Sequence, residues 1–409
     1  MVRRLAPIAE QLMLSALSLF INIVLIATTT KEHYGVFSVL NSYLILATSI
    51  QTAIFSVPMM VELSREDGKA RDHSIVVTSW ALLPVSAAFA LLSAICVVAF
   101  STSENGLTPV LLGSAFALAM AGAWSREFVR TIYVLQDRLQ RSFLVSLSYA
   151  VAVVGGISFF YLRKGEITTT EIFVCLGLAS FIASFDVLPA FRQRIQFKDL
   201  IQLFGRLGQH SKWALPGVMT SWIQNNAYLS IVTSQGGASV AADLSASRLF
   251  VMPYMTAFAG HSRVVVRRLS ATLDTHPDET KNAAIRLAFI QLSIGAALAA
   301  VFVVAEKLNI GQYLRSYSGA LPLAAMWAIF AGIGCAKAAL NLLAQAGRAF
   351  RTLFLMNVIS ALVVLGALFL PHAAGLAYIA ICALILGETV SLVFLWWKYK
   401  LQLRRPHGR

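Results

Sequence analysis

Residues 74–100 read SIVVTSWALLPVSAAFALLSAICVVAF, a run with no Asp, Glu, Lys, Arg or His. Coiled as an α-helix at ~1.5 Å per residue, this run exceeds the ~30 Å hydrocarbon core of a bilayer. A helix that is apolar all round must be buried on every side, and lipid satisfies that need without a protein core. Comparable stretches recur from end to end. Twelve candidate spans cover 8–30, 35–60, 74–100, 107–134, 142–162, 170–190, 212–234, 239–262, 283–305, 320–344, 351–370 and 374–397.

Composition agrees with this reading. Hydrophobic residues make up 58% of the 409-residue chain and charged residues 13%, against roughly 25% charged in soluble domains. The remainder is too small for a separate water-exposed domain. The expected fold is all-α, a polytopic membrane protein of about twelve transmembrane helices in two parallel six-helix repeats around a central cavity. Arg3 and Arg4 precede an apolar run longer than a signal core, and no small-residue cleavage site follows. That run is expected to be an uncleaved first helix. Cys96, Cys175, Cys335 and Cys382 all fall inside spans. No pair has ligand spacing, so neither disulfides nor a metal site is expected.

The formal charge of +14 invites a nucleic-acid reading, but its distribution argues for topology. With a cytoplasmic N-terminus, 23 of the 33 Lys and Arg residues fall on cytoplasmic segments, counting Lys212 and Arg351 at span edges, and 5 on the opposite loops. This is a strong positive-inside bias. It places both termini in the cytoplasm and favours contact with anionic lipid headgroups, with no nucleic-acid partner.

Segment 191–211, FRQRIQFKDLIQLFGRLGQHS, has Phe197, Leu200, Ile201, Phe204 and Leu207 at helical spacing, with Arg192, Arg194, Lys198 and Arg206 between them. An amphipathic cytoplasmic helix is expected there, joining an N-terminal lobe (1–190) to a C-terminal lobe (212–409). The halves resemble each other. An offset of 203 lays Ser42 on Ser245, Arg65 on Arg268, and a Tyr34-Gly35 turn near Gly236-Gly237; an offset of 210 lays Arg138 on Arg348 and Arg141 on Arg351. A parallel 6+6 repeat is the plan of an alternating-access carrier.

Several short segments carry a family resemblance. Thr30-Lys31-Glu32-His33-Tyr34-Gly35-Val36-Phe37-Ser38 resembles the "EEYGLFSL" turn of bacterial polysaccharide-export flippases. Ala214-Leu215-Pro216 resembles the "LP" entry of their second half. Ala246-Ser247-Arg248-Leu249 is similar to their "A-x-R/K-L" stretch, and Ala344-Gln345-Ala346-Gly347-Arg348 to their "AQGR" ending. The pattern resembles the O-antigen and exopolysaccharide flippases of the multidrug/oligosaccharidyl-lipid/polysaccharide superfamily. That resemblance implies a glycan linked through pyrophosphate to a polyprenol, moved across the bacterial inner membrane, with other polysaccharide assembly proteins as partners. The chain is short for the family and lacks the two extra helices of lipid II flippases.

Ionisable residues deep in a span are costly and commonly functional. Arg126, Glu127 and Arg130 stand in the fourth span, Arg248 in the eighth, Lys337 in the tenth and Glu388 in the twelfth. Arg126 and Arg130, four residues apart, share a helix face. Arginine suits diphosphate because its planar fork binds phosphate oxygens in pairs. Arg126, Arg130, Arg248 and Lys337 are therefore expected to bind substrate phosphate. The competing readings are an internal ion pair of the arginines with Glu127, and a Lys337–Glu388 pair. Gln224, Asn225 and Asn22 are expected to meet sugar hydroxyls or to bond neighbouring helices. Glu127 and Glu388 are candidates for proton coupling.

An organic-cation antiporter of the same superfamily needs a carboxylate in its cavity. The first span offers only Glu10, near its cytoplasmic end, so the buried charge reads as net basic and favours an anion. A membrane-integral polymerase or ligase needs a large outer loop with acids or histidines, and the outer loops here are short. No enzymatic site and no cofactor is expected. Reporter fusions after Arg65, Asn105 and Arg206 should read inside, outside and inside. An outside reading after Arg206 would refute the two-lobe topology.

Overall fold

Helices account for all twelve expected spans in the computed structural model, which describes residues 2–63, 68–100, 108–185, 195–258, 262, 265, 269, 275–308, 319–346, 350–369 and 375–403. In chain order they are α1 (Val2–Thr28), α2 (Lys31–Gln51), a π-helical turn (Thr52–Ser56), α3 (Val57–Glu62), α4 (Gly68–Phe100), α5 (Pro109–Leu135), α6 (Leu139–Lys164) and α7 (Thr169–Ala183). There follow α8 (Phe197–Gly236), α9 (Ala238–Leu249), α10 (Pro277–Lys307), α11 (Ala320–Ala346), α12 (Phe350–Leu368) and α13 (Leu376–Leu403). The second span is α2 carried through the π-turn into α3. The eighth is α9 with further helical turns over 252–258. Among the described residues there is no β-strand. The protein is an all-α, multi-pass membrane protein.

Seven helices are long and apolar enough to cross a membrane by length and composition alone: α1, α2 with α3, α4, α6, α10, α11 and α13. The membrane-length helices outside that group, α5 and α8, carry Arg126-Glu127-Arg130 and Gln224-Asn225-Asn226. Loss of hydropathy and the candidate site thus fall on the same helices.

Helix ends follow local chemistry. Thr30 is extended, and its hydroxyl accepts the His33 N–H at 3.3 Å, starting α2 at Lys31. Tyr34 and Gly35 therefore lie buried in the first turns of α2, not in a turn between helices as their sequence suggests. Thr168 and Glu171 form a reciprocal capping box at the start of α7, satisfying N–H groups that a helix end leaves orphaned. Gly165 (φ 74°) ends α6 and Gly237 (φ 83°) separates α8 from α9, both in the left-handed region that glycine adopts without strain.

The chain divides into two units, Met1–Met219 and Thr220–Arg409. This differs from the boundary expected at 191–211. From Phe197 to Gly236 the backbone is one helix of 40 residues, so the amphipathic segment and the seventh span are continuous, and the division falls inside that helix. Pro216 stands within it, nearly twenty residues from its start, rather than at a helix entry. Residues 191–194 lie outside the described residues.

Unit 1 is organised around α5, which packs against α2, α4, α6 and α7, while α1 packs against α6. Its core holds Leu112, Phe116, Trp124, Phe128 and Phe173, all wholly buried. Unit 2 is organised around α11, which packs against α9, α10, α12 and α13, with Trp327 wholly buried at its centre. The neighbour sets correspond helix for helix: the fourth of each half meets its second, third, fifth and sixth. This is the repeat that the sparse sequence offsets suggested.

Glycines set the closest approaches. A Cβ on Gly122 of α5 would lie 2.7 Å from the Gly177 carbonyl oxygen of α7, and one on Gly295 of α10 would lie 2.5 Å from Gly332 Cα of α11. In hydrocarbon, helices associate through such close packing, since lipid tails are as apolar as any side chain. Gly295→Leu should therefore destabilise the protein by roughly 1–3 kcal/mol through overpacking, read as a lowered unfolding midpoint in detergent. Gly155→Ala, where the methyl meets nothing within 4 Å, should leave the midpoint unchanged or slightly raised.

Candidate functional site

Within unit 1, α1, α2, α5, α6 and α7 line an open cavity of about 230 Å³. Its walls include Ser18 and Asn22 from α1, Asn41 and Thr48 from α2, Arg126 from α5, Tyr149 from α6 and Ser180 from α7, set among leucines, isoleucines and alanines. The structure brings Asn22 and Arg126, both singled out in the sequence, into this one wall. Asn22 donates to the Ser18 carbonyl at 2.7 Å and accepts the Tyr34 hydroxyl at 2.9 Å.

Behind Arg126 lies a chain of alternating charges. Arg126 Nη2 is 3.2 Å from Glu127 Oε1. Arg130 Nη1 donates to both Glu127 oxygens at 2.7 Å, and Arg130 Nε donates to Glu10 Oε1 at 2.6 Å. Ser146 donates to the same Glu10 oxygen at 2.5 Å. Thr131 donates to the Glu127 carbonyl at 2.8 Å and to Ser56 Oγ, in the π-turn, at 3.0 Å.

This network corrects one sequence expectation. Glu10 is not a marginal residue of the first span: it is buried and bonded to Arg130. The cluster holds Arg126 and Arg130 against Glu10 and Glu127, so its formal charges balance rather than summing to a net base. Sequence spacing could not show this, because 120 residues separate the Arg130–Glu10 partners.

The two arginines are held differently. Arg130 is gripped by two carboxylates, the arrangement of a structural ion pair. Arg126 has one long contact to Glu127, its guanidinium carbon lies 3.8 Å from the Tyr149 ring centroid, and its buried Nε has no hydrogen-bond partner among the described residues. Arg126 retains donor capacity, whereas Arg130 has little to spare.

In unit 2, Lys337 donates to Glu388 Oε1 at 2.8 Å and stands 2.7 Å from Oε2. Gln224 Nε2 donates to the same Oε1 at 2.8 Å. All three side chains are buried. The expected phosphate ligand Lys337 is thus neutralised in place, as its pairing alternative held, and Gln224 supports the pair instead of facing open space. Asn225 donates to the Ser221 carbonyl at 2.8 Å, within its own helix. Arg248 lies elsewhere in unit 2, its guanidinium 5.3 Å from the Trp327 ring. Trp327 is fixed by its own N–H to the Leu244 carbonyl at 3.1 Å, and the buried Tyr228 hydroxyl beside it faces Arg248.

Neither a family model nor a curated protein matches the sequence. Solved structures do match. A lipid II flippase, MurJ, in an inward closed conformation superposes with a TM-score of 0.74 at 12% identity, covering 98% of this chain and 87% of that one. An inward-facing and an outward-facing multidrug resistance MATE family transporter of the MOP superfamily superpose at 0.70 and 0.67, with 12% and 14% identity, each covering 98% of this chain and 95% of the other. The chain shares the fold of these proteins. At such identities the likeness concerns the fold, and the chemistry rests on this chain's own residues.

The Lys337–Glu388 pair makes a direct test of burial. Removing one partner of a buried pair leaves an uncompensated charge, at a cost of roughly 3–5 kcal/mol, while replacing both by apolar groups is often near neutral. Glu388→Leu should therefore lower the unfolding midpoint sharply, and the double variant Lys337→Met with Glu388→Leu should recover most of it.

Proposed function

We propose that the protein is an alternating-access flippase of the inner membrane that moves a polyprenyl-pyrophosphate-linked oligosaccharide for exopolysaccharide or O-antigen synthesis. The observation that carries this reading is Arg126. It is a cation at the wall of a cavity within a membrane-spanning unit, weakly held by its carboxylate neighbour and retaining an orphan N–H. A charged donor in that setting binds phosphate oxygens strongly. Asn22, Asn41 and Ser18 offer amide and hydroxyl groups of the kind that meet sugar hydroxyls. The polyprenyl tail needs no protein site, because it remains in lipid. The fold is shared with a lipid II flippase, which supports a lipid-linked substrate. Within unit 2, Arg248 with its ring partner is a separate candidate phosphate ligand, and Lys337 and Glu388 serve as a fixed pair.

The second reading, an antiporter of drugs or organic ions, gains support from Glu10. A buried carboxylate on the first helix is the group that the sequence alone placed out of reach.

In vesicles reconstituted with the protein, a fluorescent polyprenyl-diphosphate oligosaccharide should cross the bilayer. Arg126→Ala should slow transfer by about tenfold or more, the loss expected of a charged hydrogen bond. Arg126→Lys should restore part of it, keeping charge without the planar fork. Unimpaired transfer by Arg126→Ala would remove Arg126 from the site, and no transfer by the unaltered protein would refute the flippase reading. Proton-driven uptake of an organic cation that Glu10→Gln abolishes would establish the antiporter instead.

A further inference from the structure

Arg126 raises a mechanical question: what keeps a long, flexible cation at the cavity wall? Glu127 does so poorly. Its two oxygens each accept from Arg130 at 2.7 Å, and its contact to Arg126 is 3.2 Å, longer than the ~2.7–2.9 Å of a strong charge-assisted hydrogen bond. The buried Nε contributes nothing, having no partner among the described residues. The other contact is with Tyr149 of α6, whose ring centroid lies 3.8 Å from the guanidinium carbon and whose hydroxyl also engages the cation. Tyr149 is itself buried and lines the same cavity.

We infer that Tyr149 is a positioning residue for a diphosphate ligand, its ring pinning the Arg126 guanidinium so that the donor edges remain available to phosphate oxygens; this rests on the flippase reading. The physical reasoning is geometric. A guanidinium has two faces and a rim of N–H donors in one plane. The Tyr149 ring lies against the guanidinium and its neutral hydroxyl engages it as well, so the contact that immobilises the cation brings no negative charge to compete with the anion. A carboxylate partner would compete, because it takes the rim itself. Immobilisation before binding also removes an ordering cost that the ligand would otherwise bear. The ring further favours cationic over neutral groups at that point in the wall, through its quadrupole. Unit 2 shows the same pairing, with Arg248 over Trp327 at 5.3 Å. Ring-supported arginines therefore occur in both units, whereas Arg130, gripped by carboxylates, has no ring partner of this kind among the described residues.

The test uses the full chain in detergent and radiolabelled farnesyl diphosphate as the probe. Tyr149→Leu should weaken binding about tenfold, the effect of one desolvated cation–π contact. Tyr149→Phe, which keeps the ring, should stay within about twofold of the unaltered chain. On an Arg126→Ala background, Tyr149→Leu should cause no further loss, because a positioning residue acts only through the group it positions. Should Tyr149→Leu fail to fold, Tyr149→Met replaces it with the same expected loss. Binding that neither ring-less variant weakens would overturn the inference alone. So would an equal loss in the Arg126→Ala background, which would make Tyr149 a direct or purely structural contact. Failure of the unaltered chain to bind farnesyl diphosphate would overturn the flippase reading and this inference with it.

Discussion

A backbone in hydrocarbon finds no water to satisfy its N–H and C=O groups, and that constraint governs this molecule. It forces every crossing segment into a helix, where each peptide group is satisfied by its own chain. Once helices are obligatory, association cannot rely on hiding apolar surface from solvent. The close approaches of Gly122 to Gly177 and of Gly295 to Gly332 show what replaces it, namely backbone-to-backbone packing that only small residues permit. The central helix of each unit, α5 or α11, supplies one side of these contacts, and each also carries a buried cation. Packing and charge are therefore coupled. The helix with most neighbours is the one on which a charge can be surrounded by partners rather than by lipid.

The fold was legible in the sequence because the membrane writes a strong signal. Span 74–100 alone demands lipid, and each of the twelve expected spans is met by a helix, the largest departure being the seventh, whose helix begins at Phe197. What failed did so where a cap or continuity overrode a motif. Thr30 captures the His33 N–H and draws Tyr34 and Gly35 into α2. Likewise, nothing in 191–211 marks the absence of a break before the seventh span, since proline at position 216 looks like a helix entry but is tolerated inside α8. A proline removes one donor, and a long helix with other support survives that loss.

The site was half legible. Rarity marks charges within a span, so Arg126, Arg130, Arg248, Lys337, Glu127 and Glu388 could all be found from composition. Partnership was open only in part, as the alternatives of an arginine–Glu127 and a Lys337–Glu388 pair. Glu10 reaches Arg130 across 120 residues of sequence, and Gln224 reaches Glu388 across 164. No local spacing encodes such pairs. Tyr149 was equally hidden, because an aromatic residue in an apolar span is ordinary until its ring is seen against a guanidinium.

Partnership then separates cations that composition treats alike. Desolvation makes any buried charge expensive, and the expense is offset by opposite charge and by hydrogen bonds. Lys337 faces a carboxylate whose oxygen also accepts from Gln224, and Arg130 faces two carboxylates. Both are closed systems, in which an incoming anion would have to displace a strong internal partner. Arg126 is more open: its carboxylate is mostly committed to Arg130, and its ring partner offers only a neutral hydroxyl, a weaker competitor than a carboxylate. A ligand shifts a conformational equilibrium only by interacting better with one state. An incompletely satisfied cation gains most from an arriving anion, and a fully paired one gains little. On this argument the charge chain from Glu10 to Arg126 is asymmetric by construction. Its inner end fixes α1, α5 and α6 together, and its outer end leaves one guanidinium whose remaining donors are available to substrate.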